Sequence, residues 1–95
     1  MARVEISRTA ADDLDALIAS LGLPGDARRR VAKSLSLLEE FPLMGPGLPG
    51  AWSGFRFLLG PWRWMILVYT YTEVENRVVV VTIQDGRQSS AATNA

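Results

Sequence analysis

The run FRFLLGPWRWMILVYTYTEVENRVVVVTIQ, residues 55–84, decides the fold of this 95-residue chain. It is dense in β-branched and aromatic residues and is interrupted by two turn signals, Gly60-Pro61 and Glu73–Asn76. These divide it into three expected strands: Phe55–Leu59, Trp62–Thr72 and Arg77–Gln84. Strands so close in sequence pair antiparallel, with Glu73–Asn76 as a hairpin turn. Side chains alternate between the faces of a strand. The middle strand therefore groups Arg63 with Met65, Leu67, Tyr69 and Tyr71, and Trp62 with Trp64, Ile66 and Val68. One group is core; the other is expected to face solvent or a ligand.

Upstream, the period changes from two to about 3.6. Leu14, Leu17, Ile18 and Leu21 form one apolar stripe, with Ser7 or Thr9 as the N-cap and Asp12 and Asp13 expected in the first turn. Gly22 and Pro24-Gly25 stop that helix. Asp26 is the expected cap of a second one, whose stripe is Ala27, Val31, Leu35 and Leu38 and whose end falls near Phe41-Pro42. The short link makes the two an antiparallel helix hairpin. Ahead of them Ala2–Ser7 alternates as a short strand, and its nearest partner is the edge of the C-terminal sheet. Pro42–Gly54, with Pro42, Pro46 and Pro49 and Gly45, Gly47, Gly50 and Gly54, reads as a surface loop. The expected fold is α+β, in the order β-α-α-β-β-β, with the N-terminal helix hairpin packed on a small, mainly antiparallel four-stranded sheet. Residues 1–88 make a single domain, and 89–95, small and polar, read as a flexible tail.

Composition narrows the chemistry. A domain of this length buries only about 60–65% of its unfolded surface, and a 48% hydrophobic content supplies the core it needs. There is no cysteine and no histidine, so disulfides, thiolate zinc sites and the commonest general base are all missing. No metal or cofactor is expected. Ten basic and ten acidic residues cancel, so the molecule has no strong overall field for nucleic acid. The start lacks a secretory signal, and Trp64–Tyr69 is too short to cross a membrane; a cytoplasmic protein is expected.

Candidate site residues are therefore arginines. Arg56 and Arg63 flank the Gly60-Pro61 turn at similar offsets and are expected to be cross-strand neighbours; Arg87 follows the last strand. Three guanidinium groups on one face would suit a phosphate, or each would pair with a local carboxylate, Asp85 being the obvious partner of Arg87. Arg28, Arg29, Arg30 and Lys33 read as the solvated face of the second helix, with phosphate contacts as the sharper alternative. Of the tryptophans, Trp64 reads as core and Trp52, in the loop, as an interface residue.

The order of pieces resembles the RelE/ParE family of type II toxin–antitoxin toxins over roughly Val4–Arg87. The carriers are Ser7-Arg8-Thr9-Ala10-Ala11-Asp12-Asp13-Leu14, Leu38-Glu39-Glu40-Phe41-Pro42, Gly45, Leu48-Pro49-Gly50, Gly54-Phe55-Arg56-Phe57-Leu58, Gly60-Pro61-Trp62-Arg63-Trp64 and Asp85-Gly86-Arg87. The resemblance implies a toxin neutralised by a cognate antitoxin in a hetero-oligomeric complex. Trp52, the Pro/Gly loop and the outer helix stripe are the candidates for that contact. It also implies one of two activities. The ribonuclease branch enters the ribosome and cuts mRNA without a metal; there Arg63 matches the arginine that stabilises the transition state, Arg87 the arginine after the last strand, and Arg56 a position often held by Lys. The other branch binds DNA gyrase and has no nuclease site. Retention of all three arginines favours ribosome-dependent mRNA cleavage, whereas Gln88-Ser89-Ser90-Ala91 stands where ribonuclease members carry Tyr or His.

Overall fold

The computed structural model describes residues 1–94. Strand β1 (Arg3–Ile6) leads into helix α1 (Arg8–Leu21), followed by α2 (Ala27–Leu35) and the single turn α3 (Leu37–Glu40); β2 (Arg56–Leu59), β3 (Met65–Thr72) and β4 (Arg77–Asp85) complete the order. The sheet runs β1-β4-β3-β2, with β1 parallel to β4 and the other pairs antiparallel. This is the expected α+β architecture, and the first strand does pair at the edge of the C-terminal sheet.

Ser7 is the cap of α1: its backbone is extended and its Oγ accepts the Ala10 N–H at 3.1 Å. The helix ends at Gly22, where φ of 62° lets the chain turn left-handed while its N–H still reaches the Ile18 carbonyl. The helix expected to run on to Phe41 is instead interrupted at Ser36. The Ser36 hydroxyl donates to the Lys33 carbonyl at 2.6 Å, a side-chain bond that competes with the regular helical ladder. Ala27, Val31, Leu35 and Leu38 nonetheless keep one buried face across the break. Arg28 reaches Asp15 on α1 and ties the two helices at the surface.

Both faces of β3 are buried. Met65, Leu67 and Tyr69 join Val78, Val80 and Ile83 against Leu14, Val31, Leu35 and Leu38 of the helices. The opposite face, expected to be open, carries a second core: Ile66 and Val68 are covered by Leu48 of the Pro/Gly loop and by Ala91 and Ala92. The C-terminal segment thus differs from the flexible tail expected of 89–95. Its Ala92 N–H donates to Gln84 Oε1 at 2.8 Å, and Asn94 Nδ2 donates to the carbonyls of Gly86 and Gln88. Two alanines small enough to lie flat on the sheet explain the docking; Ala95 lies outside the described residues. Trp52 also turns inward, edge-to-face on Phe55 at 5.4 Å and packed against this second core.

β4 contains a bulge. Val68 pairs with Thr82 but Tyr69 with Val80, so Val81 is the extra residue. The insertion shifts the parity of the strand, which is why Val80 and Ile83 both face the helices while Val81 faces the second core. Beyond the bulge β4 has outrun β1, whose last pair is Ile6 with Val80. The stranded edge groups are taken by side chains: Ser7 Oγ donates to the Val81 carbonyl, and Asp13 Oδ2 accepts from Thr82 Oγ1 at 2.6 Å and from the Ile83 N–H at 3.1 Å. Asp13, expected to serve the helix dipole, therefore closes a sheet edge.

Candidate functional site

The β2–β3 connection shapes the site. Gly60 N–H bonds the Met65 carbonyl and Met65 N–H the Trp62 carbonyl, so the turn extends through Trp64 and β3 begins only at Met65. The expectation that Trp62 starts the strand is corrected accordingly, and strand parity does not govern Arg63. The register places Arg56 opposite Tyr69, so Arg56 and Arg63 are not cross-strand neighbours. Met65 pairs with Asp85 and Gly86 N–H bonds the Trp64 carbonyl at 2.7 Å, which brings the Arg63 end of the turn beside Arg87. Gly86 permits this approach, since a Cβ there would stand 2.7 Å from Ile66 Cδ1.

Arg63 and Arg87 share one shallow cleft of about 370 Å³, walled by Phe57, Leu59 and Trp64, with Thr93 of the C-terminal segment on its rim. Arg63 is exposed, and no carboxylate lies within ion-pair distance of it among the described residues. Arg87 is engaged. Its Nε and Nη2 bond the two oxygens of Asp85 at 2.9 and 2.8 Å, and its guanidinium lies over the Trp64 ring, 4.8 Å from the centroid. That fork holds the Asp85 carboxyl below the usual carboxylate range, and Asp85 in turn raises Arg87.

Arg56 does not join the cleft. Its Nη1 donates to the carbonyls of Gly45 at 2.7 Å and Leu43 at 3.3 Å, clamping the Pro/Gly loop onto β2. The loop is fixed a second time by Tyr69, whose buried hydroxyl accepts the Gly45 N–H at 3.0 Å. Burial pushes the Tyr69 phenol up, partly offset by the Gly45 bond and the charge of Arg56. Tyr71, the other tyrosine, donates to Asn76 Oδ1 at the hairpin turn. Neither hydroxyl lines the cleft. Among the described residues no group of three or more Asp or Glu could hold a metal ion, and no helix is long and apolar enough to cross a membrane.

The sequence pointed to Arg63 and Arg87 but not to Trp64 and Thr93 as their neighbours. Trp62 and Trp64 stack on each other with centroids 6.3 Å apart, and Arg30 of α2 lies over Trp62 at 4.4 Å. A line of Arg30, Trp62, Trp64 and Arg87 thus runs across the surface at the turn. The alternation W-R-W is its visible trace in sequence; the flanking cations come from distant segments.

The chain is thus a small α+β domain of the order β-α-α-α-β-β-β with cationic groups gathered at the β2–β3 turn. The profile of the family described as ParE toxin of type II toxin-antitoxin system, parDE, matches residues 4–90. The chain belongs to that family. Solved structures share the fold at low identity. The chromosomal ParDE system of P. aeruginosa matches with a TM-score of 0.69 at 21% identity, over 90% of this chain and 96% of that one. The E. coli RelBE complex gives 0.66 at 14%, over 90% and 96%, and RelBE2 of Mycobacterium tuberculosis 0.62 at 21%, over 88% and 90%. No curated protein sequence matches the chain.

Proposed function

We propose that the protein is the growth-arresting toxin of a type II pair, held inactive by a cognate antitoxin, and that it acts by binding DNA gyrase rather than by cutting RNA. The state of the arginines carries this reading. Cleavage by a neighbouring 2′-hydroxyl needs cationic groups free to meet a phosphate whose charge grows in the transition state. Arg87 has its Nε and Nη2 on Asp85 and Arg56 is spent on backbone carbonyls; of the three, Arg63 alone has neither kind of partner among the described residues. No histidine exists, and both tyrosine hydroxyls are engaged outside the cleft. The general acid–base contribution, commonly about 10²–10⁴-fold, has no candidate group beside Arg63. What remains is a cleft with apolar walls and a cationic rim, which suits protein contact. The antitoxin reading is supported by the family and by the toxin–antitoxin complexes among the similar structures.

The test is induction of the protein alone, with DNA integrity and mRNA followed in parallel, and a supercoiling assay with purified gyrase. Growth arrest with DNA breaks, intact mRNA and inhibited supercoiling is expected. New ribosome-dependent 5′ ends on mRNA, lost in Arg63→Ala, would overturn the proposal in favour of the ribonuclease reading. One observation favours that second reading: Arg63 and Arg87 share a cleft with an aromatic wall. Unimpaired growth would remove both.

A further inference from the structure

The lining of the Arg63–Arg87 cleft selects among anionic partners. Phe57 and Leu59, two apart on β2, project to one face and wall it, with Trp64 beside them and Ile66 at the floor. Leu59 is 53% exposed although it belongs to a strand, whereas Ile66 is buried. Against these four apolar side chains stands one unmatched cation. Arg63 is exposed, with no carboxylate within ion-pair distance among the described residues. The charge of Arg87 is already met by Asp85, whose side chain is only 9% exposed. Thr93 adds a hydroxyl at the rim.

That balance disfavours nucleic acid. A strand would bring a row of phosphates, and only Arg63 has charge to spare, because Arg56 is spent on the Pro/Gly loop. Base stacking is limited too, since the Trp64 ring is already engaged by Trp62 and by Arg87. A carboxylate, by contrast, matches a single guanidinium in charge and in fork geometry. An apolar side chain next to it would cover Leu59 and Phe57 and keep water from the ion pair.

We propose that the cleft receives a loop of gyrase presenting an Asp or Glu beside a large apolar side chain, the carboxylate on Arg63 and the apolar group on Leu59 and Phe57. The assignment rests on gyrase being the target and names the chemistry of the contact. Asp85 sets the specificity. By holding Arg87 it leaves the cleft one unmatched cation, enough for a carboxylate and too few for a phosphate strand.

The experiment measures binding of purified gyrase to the full chain by surface plasmon resonance, across a range of salt, without DNA and with it. Arg63→Glu should weaken binding by about tenfold or more at low salt, and Arg63→Ala should flatten its salt dependence. Leu59→Ser should weaken binding by about fivefold or more with the salt dependence unchanged. Arg8→Glu makes the same charge change beside β1, the other edge strand of the sheet, and should bind like the parent. All three side chains are exposed, so the variants' circular dichroism should match the parent. Asp85→Asn frees Arg87 and should bind a fluorescein-labelled single-stranded RNA more tightly than the parent does. Gyrase binding that either Arg63→Glu or Leu59→Ser leaves intact, or that Arg8→Glu weakens equally, overturns the proposal alone. So does a dependence on Arg63 seen only with DNA present, which assigns the cation to a phosphate, or RNA binding no tighter in Asp85→Asn than in the parent. No binding of gyrase by the parent overturns it together with the gyrase reading.

Discussion

Gly45→Ala is the substitution the structure condemns most sharply. A Cβ at Gly45 would overlap the carbonyl oxygen of Phe57 and stand 2.9 Å from the Tyr69 hydroxyl. Neither obstacle yields easily. Phe57 is a β2 residue whose own N–H is bonded to the Pro46 carbonyl at 3.2 Å, and Tyr69 is fully buried in the central strand. The loop must therefore lift, and lifting stretches the Gly45–Tyr69 bond and the Arg56 clamp together. Overpacking costs about 1–3 kcal/mol. A weakened hydrogen bond adds about 0.5–1.5 kcal/mol, for a total of roughly 2–4 kcal/mol. For a domain this size that lowers Tm by roughly 10–30 °C. Urea and thermal unfolding followed by far-UV circular dichroism measure both quantities. Tyr69→Phe alone should cost only about 1 kcal/mol, and Gly45→Ala should be less damaging in that background because one of its two collision partners is gone. A loss below about 1 kcal/mol for Gly45→Ala, or strict additivity in the double variant, would refute the account of loop docking.

Asp13→Ala should destabilise by about 1.5–3 kcal/mol in urea unfolding, because it orphans the Ile83 N–H and the Thr82 hydroxyl, while Asp13→Asn, which keeps an acceptor, should lose less. Ending the chain at Gln88 uncovers Leu48, Ile66 and Val68; a loss of about 2 kcal/mol is expected, with increased binding of a hydrophobic dye. Tyr69 is held neutral in the fold above its ordinary range, so its contribution is complete below about pH 10 and is lost as pH rises beyond that. The fall of stability above about pH 10 should therefore be shallower in Tyr69→Phe. Asp85 has the opposite sign: its carboxyl is depressed by Arg87, so the stability it lends is present above about pH 4 and is lost on further acidification. Asp85→Asn should flatten that acid limb.

What sequence made visible here was whatever depends on neighbours along the chain. Helix stripes, the Gly22 stop, the Glu73–Asn76 turn and the strand content of residues 55–84 all follow from local periodicity and turn chemistry. Even the partner of β1 was accessible, because a lone apolar strand has few edges to join. The missed features are long-range. The bulge at Val81 hides inside four identical valines, where nothing local distinguishes the extra residue. Asp13 acts on β4 only because β1 stops short, a fact about two strand lengths rather than about α1. The C-terminal segment read as a tail because alanines and serines carry little hydrophobic signal, yet small residues are what a flat sheet face accepts at close range. The site shows the same division. Arg63 and Arg87 were recognisable as candidates, but the Asp85 fork was one of several possible partners, and the carbonyl clamp on Arg56 left no trace in sequence.

The parallel pairing of β1 with β4 bears on when this toxin can exist during its own synthesis. Residues 3–6 are made long before the strand they need, residues 77–80. Ser7, Glu5 and Asp13 likewise wait for Val81, Arg77 and Thr82, their bonding partners more than sixty residues downstream. At about 5–20 residues per second, several seconds pass before the N-terminal strand meets its mate. Until then the helices have no completed sheet to cover. A chain terminated before residue 77 lacks the closing strand, so the four-stranded sheet forms only once β4 has been made. The cover over Ile66 and Val68 comes later still, because Ala91 and Ala92 follow that strand in the chain.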